Sequence, residues 1–449
     1  MSTLLVTALA ASTVAADPAE ELKRYMDACV QVDKFNGSIS VAKDGEVVFS
    51  QGYGMANFEH DVANSPETKF RIGSITKQFT AMAVMILQEK GKLDVEDPIS
   101  EHLDGTPESW KPITIHHLLT HTSGIPNYTS MANYGTDMAL PQSIEQMVAR
   151  FRDKPLEFTP GDEFNYSNSG YFLLGAIIEE TSGMSYEDFL HKQIFAPLDL
   201  KNTGYDRYQS VLKHRAAGYD RQSDAVANAA YLDMSQPYAA GSLYSTVEDL
   251  TRWDEALRGQ KLISEESYQQ MYKPEKNDYA YGWAVREESG RQSIGHGGGI
   301  NGFVTHIRRY PQEDLCVVVL SNVIPANPGR ISSDLASIML GESYELPRER
   351  VPAEVDPKVF DSYEGKYQLQ PRMVVTIKRE AEKLTAELTG QRVLVLTPES
   401  ETVFFHKGID VVITFETDKS GKAVALEFQG GGRKIRAARI KEPGKQSTK

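Results

Sequence analysis

Apolar positions change their period several times along this chain, and each change marks a different kind of element. Between Ala19 and Val32 they recur at helical spacing, which predicts an amphipathic helix. The runs Asn36–Ala42 and Glu46–Ser50 have β character, and Asp44-Gly45 between them predicts a hairpin. From Ala81 to Leu87 every residue is apolar, so no side of the segment suits water. That predicts a buried central helix, ended at Gly91, where left-handed backbone closes a helix.

From there to about residue 260 the pattern is mostly helical, broken by loops. Ser143-Ile144-Glu145-Gln146 and Ser245-Thr246-Val247-Glu248 match the capping box that opens a helix. Tyr171–Glu180 and Tyr186–Phe195 are further helical stretches, separated by a stop at Thr181-Ser182-Gly183. Strand character returns at Tyr281–Val285, Phe303–Tyr310 and Leu315–Leu320. Two strands at the start and three at the end predict one antiparallel sheet built from both ends, flanked by helices, with a helical subdomain inserted. The cleft between the two parts is the expected ligand site.

Pro347–Pro357 is rich in proline and charge and reads as a linker, placed at 346–357 between a domain of 17–345 and one of 358–449. Beyond it lie eight short β runs: Lys366–Leu369, Met373–Ile377, Leu384–Leu388, Val393–Leu396, Val403–His406, Val411–Phe415, Ala423–Phe428 and Lys434–Ile440. At that spacing they predict a small closed antiparallel β-barrel.

Composition narrows the function classes. A formal net charge of −14 and a pI near 5.3 argue against nucleic acid or an anionic membrane surface as partner. No apolar run has the length of a membrane-spanning helix. Residues 1–16 resemble a signal peptide, with an apolar stretch at Leu4–Ala11 and small residues before Asp17, although no Lys or Arg precedes the stretch. A periplasmic or secreted location is the expectation and a cytoplasmic one the alternative. Cys29 and Cys316 are expected as separate buried thiols, a disulfide being the alternative in an exported protein.

Three short stretches carry candidate chemistry. Ser74 and Lys77 lie three residues apart where the apolar helix begins, so they share a helix face. A lysine desolvated by apolar neighbours can take the proton that makes a serine nucleophilic, and backbone N–H groups at a helix start favour developing negative charge. Tyr166-Ser167-Asn168 enters a helix: a tyrosine near a lysine could be part phenolate and relay a proton. Asn168 can grip a substrate amide or steady Lys77. Gly295-His296-Gly297-Gly298-Gly299 weakens any strand it joins unless something must approach the backbone closely. A backbone N–H there, with that of Ser74, would make an oxyanion hole. Each stretch has a plainer reading: an N-cap serine, an aromatic plug, a loose hairpin.

Taken in order, the three resemble the β-lactamase-related serine hydrolases: class C β-lactamases, penicillin-binding peptidases, D-aminopeptidases and related esterases. Ile115–Ile125 and Ser167–Tyr171 also look like this family, and the resemblance covers about residues 30–340. It implies an α/β fold, a three-layer α/β/α sandwich with a helical subdomain. It implies Ser74 as nucleophile, Lys77 and Tyr166 as the proton-transfer pair, and Asn168, His296, Gly298 and Gly299 at the substrate. The oxyanion hole falls to Ser74 and Gly299. The C-terminal barrel resembles the lipocalin-like domains appended to some members. The third motif departs from the family pattern, since His296 stands where many members carry lysine. A mostly neutral histidine holds a substrate carboxylate less firmly, which lowers the case for an efficient β-lactamase or strict carboxypeptidase.

The expectation is a serine hydrolase forming an acyl-enzyme on Ser74, with no metal and no cofactor. Its substrates are expected to be small peptides or amides, D-configured residues included, with a carboxylesterase as the alternative. A non-catalytic scaffold or ligand-binding protein is the alternative from another class, and a homo-oligomer is left open. His116, His117 and His121 lack the spacing and carboxylate partner of a metal site. No Gly-x-Ser-x-Gly elbow and no twelve-residue calcium loop occur.

Overall fold

The computed structural model describes residues 17–222, 225–288, 290–370, 373–389, 393–407, 411–430 and 433–440. The expected signal segment, residues 1–16, lies outside them. Strands β1 (Gly37–Lys43) and β2 (Glu46–Tyr53) form the predicted hairpin. Asp44 and Gly45 take φ of 53° and 80°, the left-handed pair that matches the twist of a two-residue turn. Strands β3 (Ala284–Glu288), β4 (Arg291–Ile300), β5 (Phe303–Tyr310) and β6 (Leu315–Ser321) complete an antiparallel sheet in the order β3-β4-β5-β6-β1-β2. Residues 37–43 of β1 pair with residues 321–315 of β6, so both ends of the region meet mid-sheet, as the pattern predicts.

Helices α1 (Pro18–Val32), α2 (Thr76–Glu89), α3 (Ile115–Leu119), α4 (Asn168–Ser182), α5 (Val247–Arg258) and α6 (Pro328–Leu340) are the ones that matter for the site. Strand β6 is buried along its whole length, and its period of two sends alternate residues to opposite faces. Cys316, Val318 and Leu320 join the core built on α2, α4 and α5. Leu315, Val317 and Val319 join the smaller core under α1 and α6. These two layers of helix around one sheet are the expected sandwich, with the helical subdomain inserted between β2 and β3. Cys29 belongs to the second core and Cys316 to the first, so the sheet separates two free buried thiols. Helix α2 is buried from Thr76 to Leu87, as the apolar Ala81–Leu87 run predicts, and its end at Glu89 is followed by Gly91 at φ 62°.

The structure corrects several local readings. The strand expected at Tyr281–Val285 begins only at Ala284, because Gly282 makes a turn at φ 76° pressed against α2. A Cβ on Gly282 would lie 2.7 Å from the Lys77 carbonyl oxygen. The box expected at Ser245 does not form: the Thr246 hydroxyl alone caps α5, accepting from the Asp249 N–H, while Ser245 pairs with Thr203. The box at Ser143 forms as predicted. An unpredicted one opens α3, where His117 fills the third helical position after Thr114. The glycine-rich stretch is no loose hairpin but the end of β4.

The eight C-terminal β runs are all strands: β7 (Gly365–Gln370), β8 (Met373–Glu380), β9 (Lys383–Leu388), β10 (Val393–Pro398), β11 (Val403–Phe405), β12 (Val411–Thr417), β13 (Ala423–Gly430) and β14 (Arg433–Arg439). They close into a barrel where Tyr367 and Gln368 pair with Arg439 and Ala438. Residues 342–356 carry no regular structure but follow the barrel, with Arg348 and Arg350 both paired to Glu399 and the Ala353 N–H bonded to the Pro398 carbonyl at 2.9 Å. Among the described residues no helix is long and apolar enough to cross a membrane.

Candidate active site

Ser74 lies in a single 3-10 turn, Gly73–Ile75, that runs directly into α2. Neighbours on three sides fix this turn. The Arg71 guanidinium is tied to the buried Asp206 at 2.6 Å, and the Ile72 N–H donates to the Leu243 carbonyl at 2.9 Å. The Thr305 hydroxyl of β5 donates to the Ile72 carbonyl, also at 2.9 Å. Against this turn lies the glycine end of β4. A Cβ on Gly298 would stand 2.0 Å from the Ile72 oxygen and 2.3 Å from the Thr305 hydroxyl. Gly73, at φ 52°, faces the Gly299 nitrogen, 2.9 Å from where its own Cβ would be. The glycines therefore permit backbone to meet backbone, the need the sequence pattern signalled. Gly298→Ala is expected to push β4 off the Ser74 turn, cost roughly 1–3 kcal/mol of stability and remove most activity. A thermal melt and a turnover assay on the same sample check this, and a fully active variant would show that the close approach is dispensable.

Lys77 is completely buried. Its Nζ lies 2.8 Å from the Asn168 Oδ1, 2.8 Å from the Ala240 carbonyl oxygen and 3.1 Å from the Ser74 Oγ. Desolvation holds its pKa well below the usual lysine range. A neutral amine has two N–H groups and one lone pair. The two carbonyl-type oxygens can only accept, so they take both N–H groups and leave the lone pair for the Ser74 hydroxyl. The contacts thus suit an amine ready to receive the serine proton.

Tyr166 closes the site from the loop before α4. Its ring centroid lies 5.0 Å from the Lys77 Nζ, and its phenol is near enough to Ser74 for that side chain to oppose, weakly, the effect of burial. Burial pushes the phenol up from its ordinary value. That is opposite to the shift expected from a nearby cation, so desolvation outweighs the Lys77 amine and the raised phenol keeps its proton. Asn168, the first residue of α4, has both ends of its amide engaged, Oδ1 with Lys77 and Nδ2 with the Thr129 hydroxyl at 3.1 Å. Of the two contacts read from sequence, the one with Lys77 is present here.

His296 is buried on β4, and both ring nitrogens are occupied within the protein. Its Nδ1 is 2.6 Å from the Gly297 carbonyl, which can only accept, so the ring proton sits on Nδ1 and Nε2 accepts from the Tyr279 hydroxyl at 2.9 Å. Burial, with the nearby Lys77, pushes its pKa down to about 3. Beside Tyr166 and His296 opens a cavity of about 420 Å³, also lined by Phe164, Tyr279, Arg286 and Arg308. The three histidines at 116–121 serve separate partners: His116 bonds the Tyr281 hydroxyl at 2.7 Å, His117 caps α3, and His121 sits in an aromatic box. Sequence reasoning missed Tyr279, Thr129 and the Ala240 carbonyl. Tyr279 lies five residues before the start of β3, and a main-chain carbonyl leaves no mark in a sequence.

This arrangement, on a helix-flanked antiparallel sheet, defines a serine hydrolase with a lysine one helical turn after its serine. The chain belongs to the Beta-lactamase family, whose model matches residues 22–336. A second model, described as a domain of unknown function (DUF3471), matches residues 349–440. Penicillin-binding protein 4* of Bacillus subtilis is 30% identical over 442 residues, 92% of this chain and 97% of that one. A teichoic acid D-alanine hydrolase of Staphylococcus aureus is 29% identical over 69% of this chain and 75% of that one. The octameric penicillin-binding protein homologue from Pyrococcus abyssi superimposes with a TM-score of 0.67 at 27% identity, covering 94% of this chain and 99% of that one.

Proposed function

We propose that this enzyme cleaves small peptides or amides, D-configured residues included, through an acyl-enzyme on Ser74. The observation that carries the reading is the buried Lys77 amine, with two carbonyl oxygens at 2.8 Å and the Ser74 hydroxyl at 3.1 Å. The Ser74 Oγ attacks the substrate carbonyl as Lys77 takes its proton. The oxyanion rests on the backbone N–H groups of Ser74 and Gly299. Tyr166 gives its phenolic proton to the leaving nitrogen and regains one from Lys77 as the C–N bond breaks. Water then attacks the Ser74 ester and releases the acid. Because His296 is neutral and its nitrogens are engaged, the third motif supplies no cation for a substrate carboxylate. That favours acyl donors other than penicillins and free D-Ala-D-Ala ends. An exported location belongs to the same proposal, since cell-wall peptides lie outside the cytoplasm.

Two chromogenic substrates test it, D-alanine p-nitroanilide and p-nitrophenyl butyrate, with Ser74→Ala as blank. Amide cleavage that disappears in the blank is the expected result; ester cleavage alone would move the assignment to a carboxylesterase. The pH profile follows from Lys77. Only the neutral amine accepts the serine proton, so kcat/KM rises with pH through the lowered pKa of Lys77 and is lost below it. Activity that appeared only near the ordinary lysine range would contradict a desolvated base.

A further inference from the structure

We infer that His121 is a positioning residue that sets the Tyr166 phenol against Ser74, an inference that rests on the proton-transfer role given to Tyr166 above. His121 follows the end of α3 in left-handed backbone, φ 58°, which costs a non-glycine residue energy. It brackets Tyr166 from both sides along the chain. Its carbonyl accepts the Asn165 N–H at 3.0 Å, and its Nδ1 accepts the Ser167 N–H at 3.2 Å. Its ring packs on the Tyr166 ring itself, with centroids 4.2 Å apart, and on those of Tyr279 and Tyr171 at 4.6 and 5.1 Å. The side chain is buried, and among the described residues its Nε2 has no hydrogen-bond partner. A residue placed only for stability gains little from strained backbone and an unpaired polar atom. The arrangement is accounted for if the ring must hold one geometry of the residue between its two backbone contacts.

Because Tyr166 acts on the proton and not on substrate affinity, displacing it should alter kcat and spare KM. In the full-length enzyme His121→Phe keeps a ring but removes the acceptor for Ser167. It is expected to lower kcat about tenfold or more, with KM within about threefold. The decisive readout is a double-mutant cycle with Tyr166→Phe. If His121 works through the phenol, its replacement costs less than about twofold once the phenol is gone. Should His121→Phe not fold, His121→Asn tolerates left-handed backbone and keeps an acceptor while losing the ring contact. It goes through the same cycle with the same expectation. A His121 loss that persists undiminished in the Tyr166→Phe background overturns the inference, as does wild-type kcat in both His121 variants. Wild-type turnover in Tyr166→Phe alone would overturn both this inference and the role of Tyr166 beneath it.

Discussion

Ser74→Ala is expected to lower turnover by about 10,000-fold or more while the protein melts close to wild type. The side chain removed is small and only partly buried. Lys77 keeps its bonds to Asn168 and Ala240 without it, so the amine is not stranded. What disappears is the only atom that can carry the acyl group in this scheme. Calorimetry and turnover on one preparation separate the two effects. A variant that kept a tenth of wild-type activity would place the nucleophile elsewhere, because the residual rate from a bare oxyanion hole is far smaller.

Lys77→Ala should be nearly as damaging, with a rate loss of roughly a thousandfold. Here stability falls too. The substitution leaves the half-buried Asn168 Oδ1 and the buried Ala240 carbonyl without their donor, and an unpaired group as buried as the latter costs about 1–3 kcal/mol. Loss of rate must therefore be separated from loss of fold. A small amine such as methylamine, added to the folded variant, can occupy the space vacated by the side chain. Partial recovery of turnover, strongest above the pKa of the added amine, is expected if Lys77 is the base. A mild effect of the substitution, in folded protein, would shift that role to Tyr166 despite its raised pKa.

Much of this molecule was legible because its signals are local. The Asp-Gly turn, the apolar Ala81–Leu87 run of α2 and the period-two runs of the barrel each report their own geometry within a few residues. The SxxK spacing likewise predicted that Ser74 and Lys77 would meet, since one helical turn suffices. What failed was less local. The glycines of β4 announce a close backbone approach but not its partner, because the Ile72 carbonyl is more than two hundred residues away in the chain. The strand near Tyr281 was placed too early because Gly282 packs on α2, a contact no periodicity reveals. The direction of the Tyr166 shift was misjudged for a related reason. Sequence showed a lysine nearby, but not that Lys77 is buried and Tyr166 half-buried beside it, so that desolvation outweighs the charge.

The central claim is a covalent intermediate on Ser74, and one measurement addresses it directly. Folded protein is incubated with a fluorophosphonate, its intact mass is taken, and the modified peptide is mapped. The account predicts a single adduct on Ser74, abolished in Ser74→Ala and slowed in Lys77→Ala. Folded protein that takes no label, or takes it on another serine, would contradict the account; absence of label would favour a non-catalytic binding role for this site.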